Sequence, residues 1–223
     1  MKSVIKFSLI CGTVFFFIIL TGCKNSTEPE IVDNSNASDM DTAVVRKPNI
    51  YLYPQRKCSV NVELDLPLGG SIVKSIPEYQ NGWKVEIDPG GKINGEFDYL
   101  FYESSNPDKF QYSHGWIIGS NRLQIFFQKN LSDAGFNRKE INDFIEYWIP
   151  KLTDYRYYII YPQHIRIIEQ MIKLKVTSKP ESILRYYYVI KGSNNKDVQI
   201  NIPEISKFIR KGFTVTEWGV VLK

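Results

Sequence analysis

Residues 59 to 66 alternate without a fault: Val60, Val62, Leu64 and Leu66 fall on one side, Ser59, Asn61, Glu63 and Asp65 on the other. Period two over eight residues demands an extended strand with one face against a core and one in water. Neighbouring segments extend that demand. Asn49 to Tyr53 is a short apolar strand stopped by Pro54, and Phe97 to Glu103 forms another. Asn81-Gly82 precedes Trp83, Val85 and Ile87 and predicts a hairpin turn, because both turn residues tolerate positive φ. Asp88-Pro89-Gly90-Gly91 predicts a further turn.

The middle of the chain changes period. Leu123, Phe126, Phe127 and Leu131 share one helical face, and Gly135 interrupts the pattern. Asn137 with Glu140 has the form of a capping box opening a second helix. Ile141, Phe144, Ile145 and Trp148 continue it to Pro150. Strands then return: Ile172 to Val176, Ser182 to Ile190, and Val198 to Ile202, the last two joined as a hairpin through Gly192-Ser193-Asn194-Asn195. A short helix from Pro203 to Arg210 and a strand from Phe213 to Trp218 close the pattern. Strands, then helices, then strands predict an α+β fold, a mostly antiparallel β-sheet with a central amphipathic helix pair.

The first residues have a different purpose. Lys2 and Lys6 precede a mostly apolar run, Leu9 to Leu20, which is short of the ~20 residues a membrane-spanning helix needs. The run suits the core of a secretory signal, and Leu20-Thr21-Gly22-Cys23 resembles the lipobox of bacterial lipoproteins. Residues 1–22 are thus expected to be cleaved and Cys23 acylated, making the membrane a partner through its acyl chains. Each buried methylene contributes ~0.8 kcal/mol to such an anchor. No Asp follows Cys23 directly, which points to the outer membrane in a Gram-negative host. Residues 24–46 are rich in Ser, Asn, Asp, Thr and Glu without an aromatic residue, and are expected to form a flexible tether. A chain of that length reaches ~25–30 Å. Residues 47–223 then suit a single globular domain.

Charge and cysteine content narrow the function classes. The formal net charge is +4, of which Lys2 and Lys6 contribute two, too little for a nucleic-acid partner. Cys11 leaves with the signal and Cys23 is acylated, so Cys58 remains as a single structural thiol. Two histidines, His114 and His164, are too few and too isolated for a zinc cluster. No phosphate-binding Gly-rich loop is present, so neither a metal nor a cofactor is expected.

Several segments resemble an uncharacterised family of bacterial secreted and surface proteins marked by an opening Lys-Pro-x-Ile-Tyr-Leu-Tyr-Pro. Here that motif is Lys47-Pro48-Asn49-Ile50-Tyr51-Leu52-Tyr53-Pro54. Pro77-Glu78-Tyr79 with Gly82-Trp83, Tyr99 to Glu103, Phe144 to Pro150 and Arg210 to Gly219 complete the likeness. Tyr102 stands where the family resemblance leads one to expect Trp. The resemblance implies secretion and the domain's extent, and implies no particular activity.

Candidate chemistry rests on few residues. Glu103 closes one aromatic strand and Glu217 precedes Trp218, and carboxylates beside rings suit sugar chemistry because an apolar wall can keep one acid protonated. Paired across one cleft, they would act as a glycoside hydrolase. His114, in Ser113-His114-Gly115-Trp116, is the remaining catalytic candidate, although no nucleophile elbow accompanies it. The 14 tyrosines include Tyr155, Tyr157, Tyr158 and Tyr161 in one cluster and Tyr186, Tyr187 and Tyr188 in another. Successive strand residues face opposite ways, so each cluster must turn rings outward unless both faces are covered. Tyr158 and Tyr187 are the candidate binding rings. With no complete catalytic set, the expectation is a non-catalytic binding or envelope-interaction domain whose partner is a glycan or an envelope protein. A glycan-acting hydrolase using paired carboxylates is the alternative.

Overall fold

A computed structural model describes residues 41–223, so the signal, Cys23 and most of the tether lie outside the described residues. The chain opens with β1 (Thr42–Tyr53), β2 (Cys58–Asp65), β3 (Ser71–Ile76), β4 (Trp83–Ile87), β5 (Leu100–Pro107) and β6 (Trp116–Gly119). Helices α1 (Leu123–Ala134) and α2 (Arg138–Trp148) follow, then β7 (Tyr157–His164) and α3 (Ile165–Met171). The chain ends with β8 (Lys173–Val176), β9 (Ser182–Ser193) and β10 (Thr214–Leu222).

Seven strands form one sheet in the order β3-β5-β1-β10-β9-β7-β6, and β4-β2-β8 form a second. All pairings between these strands are antiparallel except β9 with β10. The fold is α+β with mostly antiparallel sheets. One core lies between the sheets and takes Val60, Val62, Trp83 and Val85 from the small one. The other lies under α1 and α2. The large sheet is therefore covered on both faces, and β9 shows the consequence. Tyr187 and Val189 enter the first core, while Tyr186, Tyr188 and Ile190 enter the second.

Local chemistry explains the helix pair. Gly135, at φ 111°, ends α1 in a left-handed conformation that a side chain would oppose. The Asn137 side chain accepts from the Glu140 amide at 3.0 Å, and Glu140 Oε2 accepts from the Asn137 amide at 2.7 Å. Glu140 is fully buried beneath that cap. Its second oxygen accepts from Thr216 Oγ1 at 2.6 Å on β10, and the Arg210 guanidinium closes the site as an ion pair. One carboxylate thus fastens α2, the sheet and the approach to β10.

Four expectations change. Strand β1 begins at Thr42, five residues ahead of Lys47, because Ala43 and Val45 are apolar strand residues buried against the sheet core. Asn81-Gly82 does not join a hairpin: β3 belongs to the large sheet and β4 to the small one, so the turn carries the chain between layers. Val198 to Ile202 forms no strand beside β9; Asn201 makes an isolated bridge with His114 and accepts from the Gly115 amide at 2.8 Å, while Val198 and Ile200 pack on the core. Residues 203–210 are not helical either. They take no regular structure and are tied down by tertiary contacts, with the Phe208 amide on the Ala134 carbonyl at 3.2 Å and Arg210 on Glu140.

Glu140→Ala should cost about 3 kcal/mol in chemical denaturation, the range for removing one partner of a buried ion pair. A loss below ~1 kcal/mol would remove Glu140 from this fastening role.

Candidate functional site

Pro48 has no backbone N–H, yet it lies in β1, which is paired on both sides. A central strand accommodates proline only where its ladder is interrupted. The register slips here against both neighbours, between Arg46 and Asn49 on β10 and between Val45 and Asn49 on β5. Lys47 occupies this bulge with φ 53°, a left-handed conformation costing of order 1–2 kcal/mol for a side chain. Bulges re-aim side chains and recur beside functional sites.

The Lys47 amine is aimed into a nest of rings. Its Nζ lies 4.4 Å from the Phe101 ring centre, 4.6 Å from Tyr99 and 5.4 Å from Tyr147, and donates to Tyr99 Oη at 3.2 Å. Tyr99, Phe101 and Glu103 reach the same side because they alternate along one extended segment. Tyr147 comes from α2. Lys74, from β3, stands 5.8 Å from the Phe101 ring and is the register partner of Glu103. With Ile76 and Phe97 these residues line an open pocket of about 330 Å³.

Burial pulls the Lys47 amine down to about 8, against the opposing pull of Asp143 and Glu103 and with some help from Lys74. The rings' negative faces favour the cation and soften that loss. Asp143 is already engaged, accepting from Tyr51 Oη at 2.9 Å and from Lys139 Nζ at 2.9 Å. Among the described residues neither Lys47 nor Lys74 has a carboxylate within ion-pair distance. The pocket therefore gathers two unpaired amines and one carboxylate around the half-buried rings of Tyr99 and Tyr147 and the buried ring of Phe101.

Glu103 belongs to this pocket; Glu217 does not. Tyr102, the neighbour of Glu103 on β5, points to the opposite face and donates to Glu217 Oε1 at 2.8 Å. Glu217 is fully buried between the sheets, paired with the fully buried Arg185, whose Nε donates to Oε2 at 2.5 Å. Arg185 also reaches Glu169 and the Ile172 carbonyl, and Tyr187 Oη closes the cluster at 2.8 Å from Tyr102 Oη. The two glutamates thus lie on opposite faces of the sheet and cannot bracket one glycosidic bond, which removes the paired-carboxylate arrangement expected of a hydrolase.

The other candidates are also rearranged. Tyr187 has no exposed surface and Tyr158 almost none, so neither is the outward binding ring expected; both sheet faces are covered, and their rings are spent on packing. His114 is exposed, with Nδ1 2.8 Å from Ser113 Oγ, in a loop laced by Gln111. That hollow also receives His164 and Glu204, though the Ser–His contact joins chain neighbours rather than elements brought together by the fold. Burial and Arg166 lower His164. A groove of about 430 Å³ between β6 and α1 is mainly apolar, and its Lys129 and Asp133 pair with each other at 2.7 Å. Among the described residues no three His, Cys, Asp or Glu side chains form a metal-ligand group.

No family model, curated protein or solved structure matches this chain. The pocket is read on its own chemistry.

Lys47, Lys74, Tyr99, Phe101 and Tyr147 do not stand out as site residues in the sequence. One signal is present: a Lys-Pro inside a strand pattern, which a central strand tolerates only at a bulge.

Glu217→Ala should destabilise the fold by about 3–5 kcal/mol, because it strands a buried guanidinium. Glu103→Ala, at a half-buried position without an ion pair, should change stability by less than about 0.5 kcal/mol. Paired urea denaturation curves compare them directly, and equal losses would contradict the separation of the two glutamates.

Proposed function

We propose that this protein is a non-catalytic binding domain of the bacterial cell envelope, lipid-anchored at Cys23, and that the Lys47 pocket is its ligand site. The ligand class that suits it best is a carboxylate-bearing saccharide. A sugar ring offers C–H faces to aromatic rings, its hydroxyls need both donors and acceptors, and its carboxylate needs a cation. Tyr99, Phe101 and Tyr147 supply the rings, Glu103 accepts, and Lys47 with Lys74 supplies the positive charge. The observation that carries the reading is the convergence of two unpaired amines with three rings at a bulge in a central strand.

The resemblance to the Lys-Pro-x-Ile-Tyr-Leu-Tyr-Pro family supports the choice of site. Three of its segments meet here: Lys47 from the opening motif, Tyr99 to Glu103, and Tyr147 from the Phe144 to Pro150 segment. The formal charge gives no support to a nucleic-acid partner.

Titrating the mature, detergent-solubilised chain with uronic-acid oligosaccharides, followed by calorimetry, tests the site. Tyr147→Ala should weaken binding ~10-fold, about 1.4 kcal/mol. Lys74→Met should weaken carboxylated more than neutral sugars. Equal affinities for wild type and both variants would exclude this pocket. The anchor has its own test: Cys23→Ser should abolish labelled fatty-acid incorporation and move the protein from the membrane to the soluble fraction, whereas unchanged labelling would refute it.

A further inference from the structure

We propose that Lys47 is a reactive amine that captures small carbonyl compounds bearing a carboxylate as reversible imines. The inference rests on the pocket being a ligand site and adds a covalent step to it.

Four features of the geometry carry it. The amine is set by the bulge at Pro48, so its backbone is fixed where the ladder breaks. Rings wall it on three sides, while the pocket stays open to a ligand of a few heavy atoms. A hydroxyl, Tyr99 Oη, stands 3.2 Å from Nζ and can pass a proton. Lys74 lies farther along the Phe101 ring, unpaired among the described residues, where it can hold a carboxylate while Lys47 attacks.

The charges facing Lys47 come from every neighbouring element. Asp143 on α2 and Glu103 on β5 favour the ammonium, Lys74 on β3 disfavours it, and burial outweighs them all. The hydroxyls of Tyr99 and Tyr147 are themselves held above their ordinary values by burial and stay protonated near neutrality. With the amine at about 8, about a tenth is neutral at pH 7, against roughly one part in three thousand for an ordinary lysine. A desolvated lysine next to a second cation is a recognised route to a nucleophilic amine.

The step balances without an oxidant or reductant. The neutral amine's lone pair forms a C–N bond to the carbonyl carbon, and the C=O π pair moves to oxygen. A proton passes from nitrogen to that oxygen through the Tyr99 hydroxyl, giving a carbinolamine. Protonation of its hydroxyl by solvent breaks the C–O bond as the nitrogen lone pair forms C=N, and water leaves. The product is a protonated imine on Lys47, reversed by the same water.

The full mature chain, incubated with glyoxylate and cyanoborohydride, reads this directly. Hydride from the cyanoborohydride fixes any imine as carboxymethyl-lysine, which peptide mass spectrometry assigns to a residue. Lys47 should label at least tenfold faster at pH 7 than exposed Lys129 or Lys175. Its rate should rise with pH and level off above about 8. Tyr99→Phe should slow labelling at Lys47, and Lys74→Met should slow glyoxylate but not formaldehyde. Labelling at the pace of Lys129 overturns the proposal. If uronic-acid oligosaccharides bind yet Lys47 labels slowly, covalent capture falls and the binding reading stands. Fast labelling without saccharide binding keeps covalent capture and removes the saccharide as ligand, and failure of both removes the site.

Discussion

The Arg185 side chain has no exposed surface, and it stays charged between the two sheets because Glu217 lies beside it on the parallel neighbour strand. Nothing in water compensates either group, so the remaining donors and acceptors must be found in the protein. They come from widely separated segments: Tyr102 from β5, Glu169 from α3, the Ile172 carbonyl before β8, and Tyr187 from β9 itself. One guanidinium thereby specifies which strand of the large sheet lies over α3 and how far the chain has advanced when it turns into the small sheet. Glu140 performs the matching task on the other face, joining α2 to β10 through Thr216 and to the preceding segment through Arg210. A register slip on β10 would turn Glu217 and Thr216 to each other's faces and break both clusters together.

Covering both faces of the sheet also explains what became of the tyrosines. In a one-sided sheet, three consecutive tyrosines would have to expose at least one ring. Here Tyr186, Tyr187 and Tyr188 are all buried, two toward the helices and one toward the small sheet. Tyr112 and Tyr155 are exposed elsewhere, while Tyr99 and Tyr147 stay half-buried at the pocket where α2 meets the outer strands. Lys47 opens there because Pro48 disrupts the ladder of β1 two strands from the edge of the sheet.

Periodicity made much of this architecture legible. The alternation of Val60 and Val62, the helical face of Leu123, Phe127 and Leu131, and the Asn137–Glu140 cap are local patterns read locally, and they recur in the structure as read. What escaped has a common cause. Residues 203–210 carry a helical pattern but are held in irregular structure by Phe208 on Ala134 and Arg210 on Glu140, contacts made across about seventy positions of chain. The sequence displays Asn81-Gly82 as a turn, yet nothing local says that the strands it joins enter different sheets. Ala43 and Val45 were masked by the polar residues before them, though both point into the core. The same limit applies to the site: Glu103 was visible as a carboxylate among aromatics, but its companions Lys47, Lys74 and Tyr147 come from three other elements.

The two glutamates singled out together show how charge divides between stability and recognition in this fold. Glu217 is surrounded by partners, and every lone pair spent on Arg185 and Tyr102 is withheld from a ligand. Such a group can hold layers together but cannot respond to anything that arrives from solvent. Glu103, Lys74 and Lys47 are the reverse case, adjacent but without ion pairs among the described residues and open to a pocket. Two amines without carboxylate partners, one of them at a backbone position that itself costs energy, add no ion pair to the folded state. Interactions that the fold leaves unmade at such a cost are the ones a ligand can complete.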